Sequence, residues 1–407
     1  MGYAKRTFKG LLWMSGSKLV SRSISILKIA ILAHFLAPAQ FGIFGIATLI
    51  LSLLDILTET GVNIFLIQSE KAIKKYINSA WFVSIIRGCF ISILIIVLAP
   101  FIANFFHISS AVNILYFISI VPFIRGFINP AEIQFQKNLT FHKEFFFRTS
   151  IFAIDAGTAI CISFFTHSVY SLVWGLLAGS ILELLISFIY IKPIPRFSLE
   201  KKYLTEIFNK GKWITAYGIL NYFSTIGDEL VVGRIFGATN LGIYEMAAKI
   251  SVQPGAEISD VVSRVVFPVY TKIMHDKKRL FLAFSKITFI VATCSVLVGI
   301  TILALAKEII LLAFGNLWLP MLPVLQVLII YGIINTLAGP STALFLAVKK
   351  QKYITAITFL RFFILAITIY PLTQRYGMVG AAYSAVFSLI FDIPVIAFFT
   401  FRIFKAR

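Results

Sequence analysis

Nine lysine and arginine side chains lie inside long apolar segments of this 407-residue chain. They are Lys18, Arg22, Lys28, Arg87, Arg125, Arg234, Lys249, Arg264 and Arg361. Even on the lowest insertion scale, the free-energy cost of placing an Arg or Lys at the bilayer centre is about 2.5–3.5 kcal/mol. Full exposure of all nine to lipid would cost on the order of 25 kcal/mol, which exceeds a typical folding stability of about 5–15 kcal/mol. We therefore expect these cations to be paired, to reach the membrane surface or to line a hydrated cavity.

The first apolar segment carries its polar side chains on one face. These side chains are Ser15, Lys18, Arg22 and Ser25. At about 100° per residue of an α-helix, their spacing confines them to an arc of roughly 80°. A single polar stripe on an otherwise apolar helix is expected to face protein or water rather than lipid.

The second apolar segment carries two acids that are expected to lie at the same depths in the membrane as the two cations of the first segment. It runs back across the membrane and carries Asp55 and Glu59. At about 1.5 Å per residue, Arg22 matches Asp55 in depth and Lys18 matches Glu59. By the same count Asp228 and Lys249 lie at similar depths on the seventh and eighth segments.

Two interpretations of these charges stay open. The acids and bases can be ion pairs that hold helices together. Alternatively, they form a cationic cavity for an anionic head group, with carboxylates that exchange protons or cations during transport. Arginine suits phosphate because its planar guanidinium donates two parallel hydrogen bonds.

The remaining intramembrane charges give weaker predictions. Arg87 is expected to extend to the membrane surface. Arg125 lies between Pro122 and Pro130, which should bend its helix, and it is a better candidate for the cavity. Four further charges have no partner that the sequence identifies: Asp155, Glu183, Arg361 and Asp392.

The composition is that of a membrane protein. Hydrophobic residues make up 59% of the chain and charged residues only 13%, against about 25% charged residues in soluble domains. A bilayer crossing needs roughly 20 apolar helical residues, and twelve segments meet that length. They lie near 11–35, 43–66, 81–104, 113–135, 149–168, 170–190, 213–235, 241–268, 283–306, 322–346, 354–373 and 379–401.

The loops show a strong charge asymmetry. With the N-terminus in the cytoplasm, the seven inside segments hold 26 Lys and Arg residues, and the six outside loops hold two, Lys307 and Arg375. This is the positive-inside pattern. It predicts a multi-pass protein of the cytoplasmic membrane with both termini inside. The net charge of +20 is then a topology signal, and no nucleic-acid partner is expected.

The basic segment 193–212 divides the chain into two halves. The predicted domains are six-helix bundles at 1–192 and 213–407, joined by this linker. Residues 33–50 resemble residues 233–250, and Gly42 and Ala47 match Gly242 and Ala247. Because six spans is an even number, such halves form a parallel repeat, and related transporters bind substrate between them.

Motifs for several enzyme classes are absent from the sequence. It contains neither a G-x-x-x-x-G-K-[ST] phosphate loop nor an H-E-x-x-H metal motif. Inside loops are too short for a catalytic domain. The chain is therefore expected to be a transporter that needs no cofactor, and not an enzyme.

Seven short motifs, in order, resemble one family. They are LAPAQFGIFGIA at 36–47, TGVNIFLIQ at 60–68, IQFQKNLTFHKEF at 133–145, GDELVVGRIFGATNLGIYEMAAKI at 227–250, VVFPVYTKI at 265–273, AFGNLW at 313–318 and GMVGAAYS at 377–384. The chain resembles the polysaccharide-synthesis flippases (Wzx and teichuronic-acid-exporter type) of the multidrug/oligosaccharidyl-lipid/polysaccharide exporter superfamily. It departs from longer members by ending after about twelve helices rather than fourteen.

The resemblance implies an all-α fold of two six-helix bundles around a central cavity lined by helices one, two, seven and eight. It implies that a polyprenyl-pyrophosphate-linked oligosaccharide moves from the inner to the outer leaflet. The expected substrate-binding residues are Lys18, Arg22, Lys28, Arg125, Arg234 and Lys249. The expected ion-coupling residues are Asp55, Glu59 and Asp228, with H⁺ or Na⁺ as the ion. Membrane lipids and other polysaccharide-assembly proteins are the further expected partners.

Two other functions remain as alternatives. A multidrug antiporter of the same superfamily would export organic cations, but it would need carboxylates where the first helix carries Lys18 and Arg22. A membrane-embedded glycan transferase or ligase usually needs a sizeable outside loop, and the longest here, at about 307–321, is short.

Overall fold

A computed structural model describes residues 3–58, 76–137, 140–197 and 201–405. Side chains are described for Trp13, Gly16 and these residues from Lys18 onward, except Gln136 and residues 201–216. The described residues form helices and short connections, and no strand occurs among them. The chain divides into two compact units, Met1–Ile219 and Leu220–Arg407, called here the N-unit and the C-unit.

The N-unit is built from antiparallel helices. They are α1 (Tyr3–Phe35), α2 (Pro38–Leu57), α3 (Ile77–Phe106), α4 (Ala111–Ile118), α5 (Ile120–Gly126), a 3₁₀ turn (Pro130–Ile133), α6 (Gln134–Lys137), α7 (Phe141–Thr166), α8 (Tyr170–Tyr190) and the first part of α9 (Lys201–Ser251). Helices α4 and α5 follow one another as a single crossing. The unit therefore contains six crossings before α9 begins.

The C-unit contains the rest of α9 and the helices that follow it. They are α10 (Gln253–Ile273), α11 (Lys277–Ala304), α12 (Ala306–Ala313), a 3₁₀ helix (Asn316–Met321), α13 (Leu322–Ala347), α14 (Gln351–Tyr376) and α15 (Met378–Lys405). Gly237 interrupts α9 with φ 78° and ψ −175°, so the chain turns within this element. Such a backbone conformation favours glycine because glycine has no Cβ.

Eight of the described helical stretches are long and apolar enough to cross a membrane. The pair formed by α4 and α5 is a shorter apolar stretch. Helices α1, α9 and α10 carry many of the intramembrane charges and are not among the eight. Together these crossings form the all-α, multi-pass architecture that the sequence predicts.

Helix positions in the two units correspond. The turn between α1 and α2 falls at residues 36–37, and the break in α9 falls at Gly237. Helix α3 begins at Ile77 and α11 at Lys277, an offset of 200. Helices α7 and α14 each span 26 residues, and their starts at 141 and 351 differ by 210. These offsets agree with the repeat inferred from the sequence.

The fourth crossing, predicted near 113–135 with a bend at Pro122 and Pro130, consists of two short helices. It is interrupted at Ser119, between α4 and α5, and it ends at Gly126. Pro122 has no N–H to donate to the carbonyl of residue 118, which explains the interruption. Beyond the crossing, the Asn129 side chain accepts a hydrogen bond from Ala131 N and donates to the carbonyl of Ile191 at 3.1 Å.

Small residues bring the crossings of the N-unit close together. A Cβ added to Gly88 of α3 would lie 2.5 Å from the Pro122 carbonyl oxygen and 2.9 Å from the Gly126 Cα. Both of these contacts are backbone atoms and cannot rotate away. Close backbone approach through glycine is a common way to pack helices in lipid, where no hydrophobic effect drives association.

We predict that Gly88→Ala lowers the thermal stability of the purified protein, because α3 must move away from α5. Gly157→Ala on α7 is the matched control, since nothing lies within 4 Å of a Cβ at that position. The control should be neutral or gain up to about 1 kcal/mol from helix propensity. Equal thermal midpoints for the Gly88 and Gly157 variants would contradict the packing described here.

Candidate functional site: the intramembrane charges

Helix α1 has two distinct faces. Trp13, Lys28 and Phe35 contact α7: Trp13 packs on the Phe145 ring at 5.4 Å and Phe35 on the Phe164 ring at 5.8 Å. At about 100° per residue, Lys18 and Arg22 lie roughly a quarter turn or more from that face. Both side chains are half-buried. The cationic stripe is therefore separate from the surface by which α1 attaches to α7.

Lys28 belongs to the attachment surface. Its Nζ lies 2.8 Å and 2.9 Å from the two carboxylate oxygens of Asp155 on α7. The side chains are only 12% and 14% exposed. Gly175 of α8 leaves the space for this carboxylate, because a Cβ there would lie 2.5 Å from Asp155 Oδ1. The pair thus joins α1 to α7, and it gives Asp155 a partner that the sequence does not identify.

Asp55 of α2 pairs with Arg87 of α3. The guanidinium donates to Asp55 Oδ1 at 3.1 Å, to the Asp55 carbonyl at 2.7 Å and to the Thr58 hydroxyl at 3.0 Å. Three acceptors at the C-terminal end of α2 hold Arg87 within the unit, and its extension to the membrane surface stays a prediction. Glu59, the second predicted acid of this helix, lies outside the described residues.

Arg125 is an exposed cation of the N-unit crossings. It lies near the end of α5, its side chain is exposed, and its Nε donates to the Ser180 hydroxyl at 3.3 Å. No carboxylate lies within 4 Å of it among the described residues. Its positive charge nevertheless acts on Asp55. The guanidinium of Arg125 is therefore a donor group suited to an anion.

Arg148 joins three elements near one end of the N-unit. It donates to Glu183 of α8 at 2.8 Å and to Glu132 of the 3₁₀ turn at 3.2 Å. Glu183 is a predicted intramembrane acid, and this contact supplies the partner that the sequence leaves unassigned. Arg148 therefore joins α7 to α8, and it also joins α7 to the 3₁₀ turn that follows the fourth crossing.

A cluster of acids lies around the break in α9 of the C-unit. The Tyr244 hydroxyl donates to Asp228 Oδ2 at 2.6 Å across the break in α9, and the Asp228 residue is 8% exposed. Glu229 lies close enough to Asp228, Glu245 and Lys249 for their charges to act on it. Three ionised carboxylates beside one ammonium leave an excess of negative charge. In an apolar setting this excess requires either a further cation or protonation of a carboxylate.

Lys249 is paired within its own helix rather than with Asp228 at matching depth. Its Nζ lies 2.6 Å from Glu245 Oε1, one turn earlier. The sequence analysis therefore missed Glu229, Tyr244 and Glu245. The adjacent acids at 228–229 and the Glu245/Lys249 spacing of four residues are the signals that could have identified them. Arg234, on the same element, is half-buried.

Arg361 of α14 and Asp392 of α15 form a second buried pair. The Arg361 Nε and one terminal nitrogen each lie 2.7 Å from Asp392 Oδ2, and Asp392 is 2% exposed. The sequence identified both residues as isolated charges. In the structure, at least five of the nine predicted intramembrane cations form ion pairs: Lys28, Arg87, Lys249, Arg264 and Arg361.

These features define a multi-pass membrane protein with charges buried inside two helical units. Residues 31–323 match the family described as polysaccharide biosynthesis protein, and the chain belongs to that family. It is 24% identical to the lipopolysaccharide biosynthesis protein WzxC of Escherichia coli over 85% of this chain and 71% of WzxC. It is 26% identical to the teichuronic acid biosynthesis protein TuaB of Bacillus subtilis over 84% of this chain and 71% of TuaB.

Solved structures support the same fold. The lipid II flippase MurJ in an inward closed conformation aligns with a TM-score of 0.78 at 16% identity, over 95% of this chain and 87% of MurJ. An inward-facing multidrug resistance transporter of the MATE family aligns with a TM-score of 0.72 at 13% identity, over 94% of both chains. Since identities are low, these similarities establish the fold alone.

We predict that Lys28→Met destabilises the protein by about 3–5 kcal/mol, because it leaves Asp155 as a buried charge without its partner. The double variant Lys28→Met/Asp155→Leu should recover most of that loss, since both charges are then gone. Thermal unfolding of the purified variants measures both effects. An unchanged thermal midpoint for Lys28→Met together with a loss of export would contradict this role. Lys28 would then bind substrate and would not stabilise the contact between α1 and α7.

Proposed function

We propose that this chain is a flippase that moves a polyprenyl-pyrophosphate-linked oligosaccharide from the inner to the outer leaflet of the cytoplasmic membrane. The oligosaccharide is then used for surface polysaccharide such as O-antigen. The proposal places both termini in the cytoplasm, following the positive-inside distribution of Lys and Arg. Membership of the polysaccharide biosynthesis family supports it. The proposal agrees with the roles of WzxC in lipopolysaccharide biosynthesis and TuaB in teichuronic acid biosynthesis, and with MurJ being a lipid II flippase.

The exposed Arg125 guanidinium is the observation on which the proposal depends most. An arginine whose one hydrogen-bond partner among the described residues is a serine hydroxyl is costly in hydrocarbon. A hydrated cavity that receives a pyrophosphate removes that cost, because the guanidinium then gains a charge-assisted bidentate contact. Lys18 and Arg22, which lie away from the α7-facing side of α1, would contribute further positive charge to the substrate site.

The two units would then have different roles. The N-unit carries the cations that bind the anionic head group. The C-unit carries Asp228, Glu229 and Glu245 around one lysine, and this excess of acid would couple H⁺ or Na⁺ movement to the change of access. In the N-unit, Asp55 is paired with Arg87. An anionic substrate would compete with Asp55 for this arginine, so substrate binding would change the ionisation of Asp55.

A multidrug antiporter is the second candidate, because the fold is shared with a MATE transporter. Export of organic cations needs carboxylates in the substrate cavity, and Arg125 opposes such substrates. A membrane-embedded glycan transferase or ligase is less consistent with the short connections that the structure describes outside its helices.

A deletion strain distinguishes the three functions. Loss of the flippase should leave lipid-linked repeat units on the inner leaflet, detected because they resist an externally added glycosidase in intact spheroplasts. Loss of a transferase or ligase would leave the same units exposed at the outer face. Loss of a drug antiporter would change efflux of organic cations and leave surface glycan intact.

We predict that Arg22→Ala and Arg125→Ala each reduce surface glycan about tenfold or more, with normal amounts of protein in the membrane. Each removes hydrogen bonds to a charged group worth about 1.5–3 kcal/mol, and 1.4 kcal/mol corresponds to about tenfold. Arg125→Lys should retain partial export because it keeps the charge but loses the bidentate geometry.

Arg264→Ala serves as the control for both variants. Arg264 forms an exposed pair with Asp260 one turn away in α10, and its side chain is 47% exposed. Its removal should leave export within about twofold, as expected for a surface ion pair. Full export by Arg125→Ala would remove Arg125 from the substrate site and would leave the proposal without its main structural support.

A further inference from the structure

A groove of about 450 Å³ lies within the C-unit, between α11, α13, α14 and α15. Its walls are almost entirely apolar. Phe284 of α11, Leu337 of α13 and Ile393 and Ile396 of α15 contribute to them. The Arg361–Asp392 pair lies at the deep end, about 20 Å along α15 from Phe404 near the opposite end. The groove is thus long, narrow and suited to a hydrocarbon chain.

One end of the groove is strongly basic. Helix α11 begins and α15 ends at that level with five exposed cations: Lys277, Lys278, Arg279, Arg402 and Lys405. Lys405 Nζ lies 5.3 Å from the centre of the Phe401 ring, which is part of the groove wall. The acid on this rim is Asp276, which caps α11 and pairs with Arg279 at 3.1 Å. The rim therefore keeps an excess of positive charge beside an apolar groove.

Hydroxyl groups along the groove lack partners. The side-chain oxygens of Thr288 and Thr400 are buried and have no hydrogen-bond partner among the described residues, and both residues line the groove. Thr400 lies five residues before Lys405, so it is about 7.5 Å deeper along the helix. Asp392 Oδ1 at the deep end is likewise unsatisfied in the described structure. Buried polar groups of this kind normally have a partner.

We propose that this groove binds an anionic glycerophospholipid from the leaflet at the basic end, which the positive-inside pattern places on the cytoplasmic side. The phosphate head group contacts the rim cations, with Lys405 beside the groove wall at Phe401. One acyl chain fills the groove. An ester carbonyl, a few ångströms below the phosphate, accepts a hydrogen bond from Thr400.

Three features select this ligand over other membrane components. The rim charge favours an anionic head group over a zwitterionic one, since Lys and Arg near a membrane surface attract anionic lipid. The Thr400 hydroxyl requires an acceptor just below the head group, and a glycerophospholipid has ester carbonyls there. A polyprenyl phosphate carries the same charge but no ester, so it cannot satisfy Thr400.

Native mass spectrometry of the detergent-purified full-length protein tests this site. The probes are phosphatidylglycerol, phosphatidylcholine with identical acyl chains, and undecaprenyl phosphate. We expect phosphatidylglycerol to bind at least several-fold more tightly than the other two. Arg402→Gln/Lys405→Gln should weaken phosphatidylglycerol binding about tenfold or more and leave phosphatidylcholine binding unchanged.

Matched variants identify the position of the lipid. Lys350→Gln/Lys352→Gln removes the same charge from exposed positions outside the groove and should retain binding. Thr400→Val should weaken phosphatidylglycerol binding about threefold to tenfold through the lost hydrogen bond. Ala338→Phe should block the groove for every chain. If it fails to fold, Thr400→Val still decides the position.

Two results would overturn the proposal. Equal binding of phosphatidylglycerol and phosphatidylcholine, or an equal loss in the Lys350/Lys352 variant, would mean that the rim does not select the lipid. Equal or tighter binding of undecaprenyl phosphate that depends on Arg402 and Lys405 would assign the groove to a polyprenyl lipid instead. Since the site lies wholly in the C-unit, its loss need not change glycan export.

Discussion

A charge placed in hydrocarbon must be neutralised or hydrated, and this constraint shapes both units. Each unit joins two adjacent crossings with an arginine and a carboxylate. In the N-unit Arg148 of α7 pairs with Glu183 of α8, and in the C-unit Arg361 of α14 pairs with Asp392 of α15. The helix offsets make α7 and α8 the counterparts of α14 and α15. The repeated pairing indicates that these charges hold each bundle together.

The charges left over after such pairing differ between the units. The N-unit retains Arg125, whose only polar partner in the described structure is a serine hydroxyl. In the C-unit Asp228 and Glu229 lie close to each other, and the nearby Lys249 is already paired with Glu245. A cation excess binds anions, whereas an acid excess exchanges protons or metal cations. The difference is the physical basis for assigning head-group binding to one unit and ion coupling to the other.

The crossings and turns could be predicted from the sequence because they follow from local composition. The turn at residues 36–37 and its counterpart at Gly237 lie where the repeated sequence indicates. The partners of the charges could not be predicted in the same way. Matching depths along adjacent helices suggested Asp55 for Arg22, but Arg87 of the following crossing reaches Asp55. Lys28 and Asp155 are 127 residues apart, and depth alone does not indicate that α1 packs on α7.

The break in the fourth crossing shows a second limit. Pro122 and Pro130 predict a bend, but the helix is fully interrupted at Ser119 and ends at Gly126 because prolines remove backbone donors. Arg125 therefore lies near the end of a short helix rather than at the centre of a long one. That position explains why it is exposed although the residues around it are hydrophobic.

Translocation in a purified system tests the central claim most directly. The protein is reconstituted in vesicles that contain a polyprenyl-pyrophosphate oligosaccharide with a terminal sugar that an added, impermeant glycosidase removes. Without flippase activity, about half of the terminal sugar faces the vesicle interior and is protected from the glycosidase. The account predicts that the parent protein makes nearly all of this sugar accessible to the enzyme. Arg125→Ala should leave about half of it protected. Protection that stays at one half with the parent protein, in vesicles shown to contain folded protein, would contradict the account.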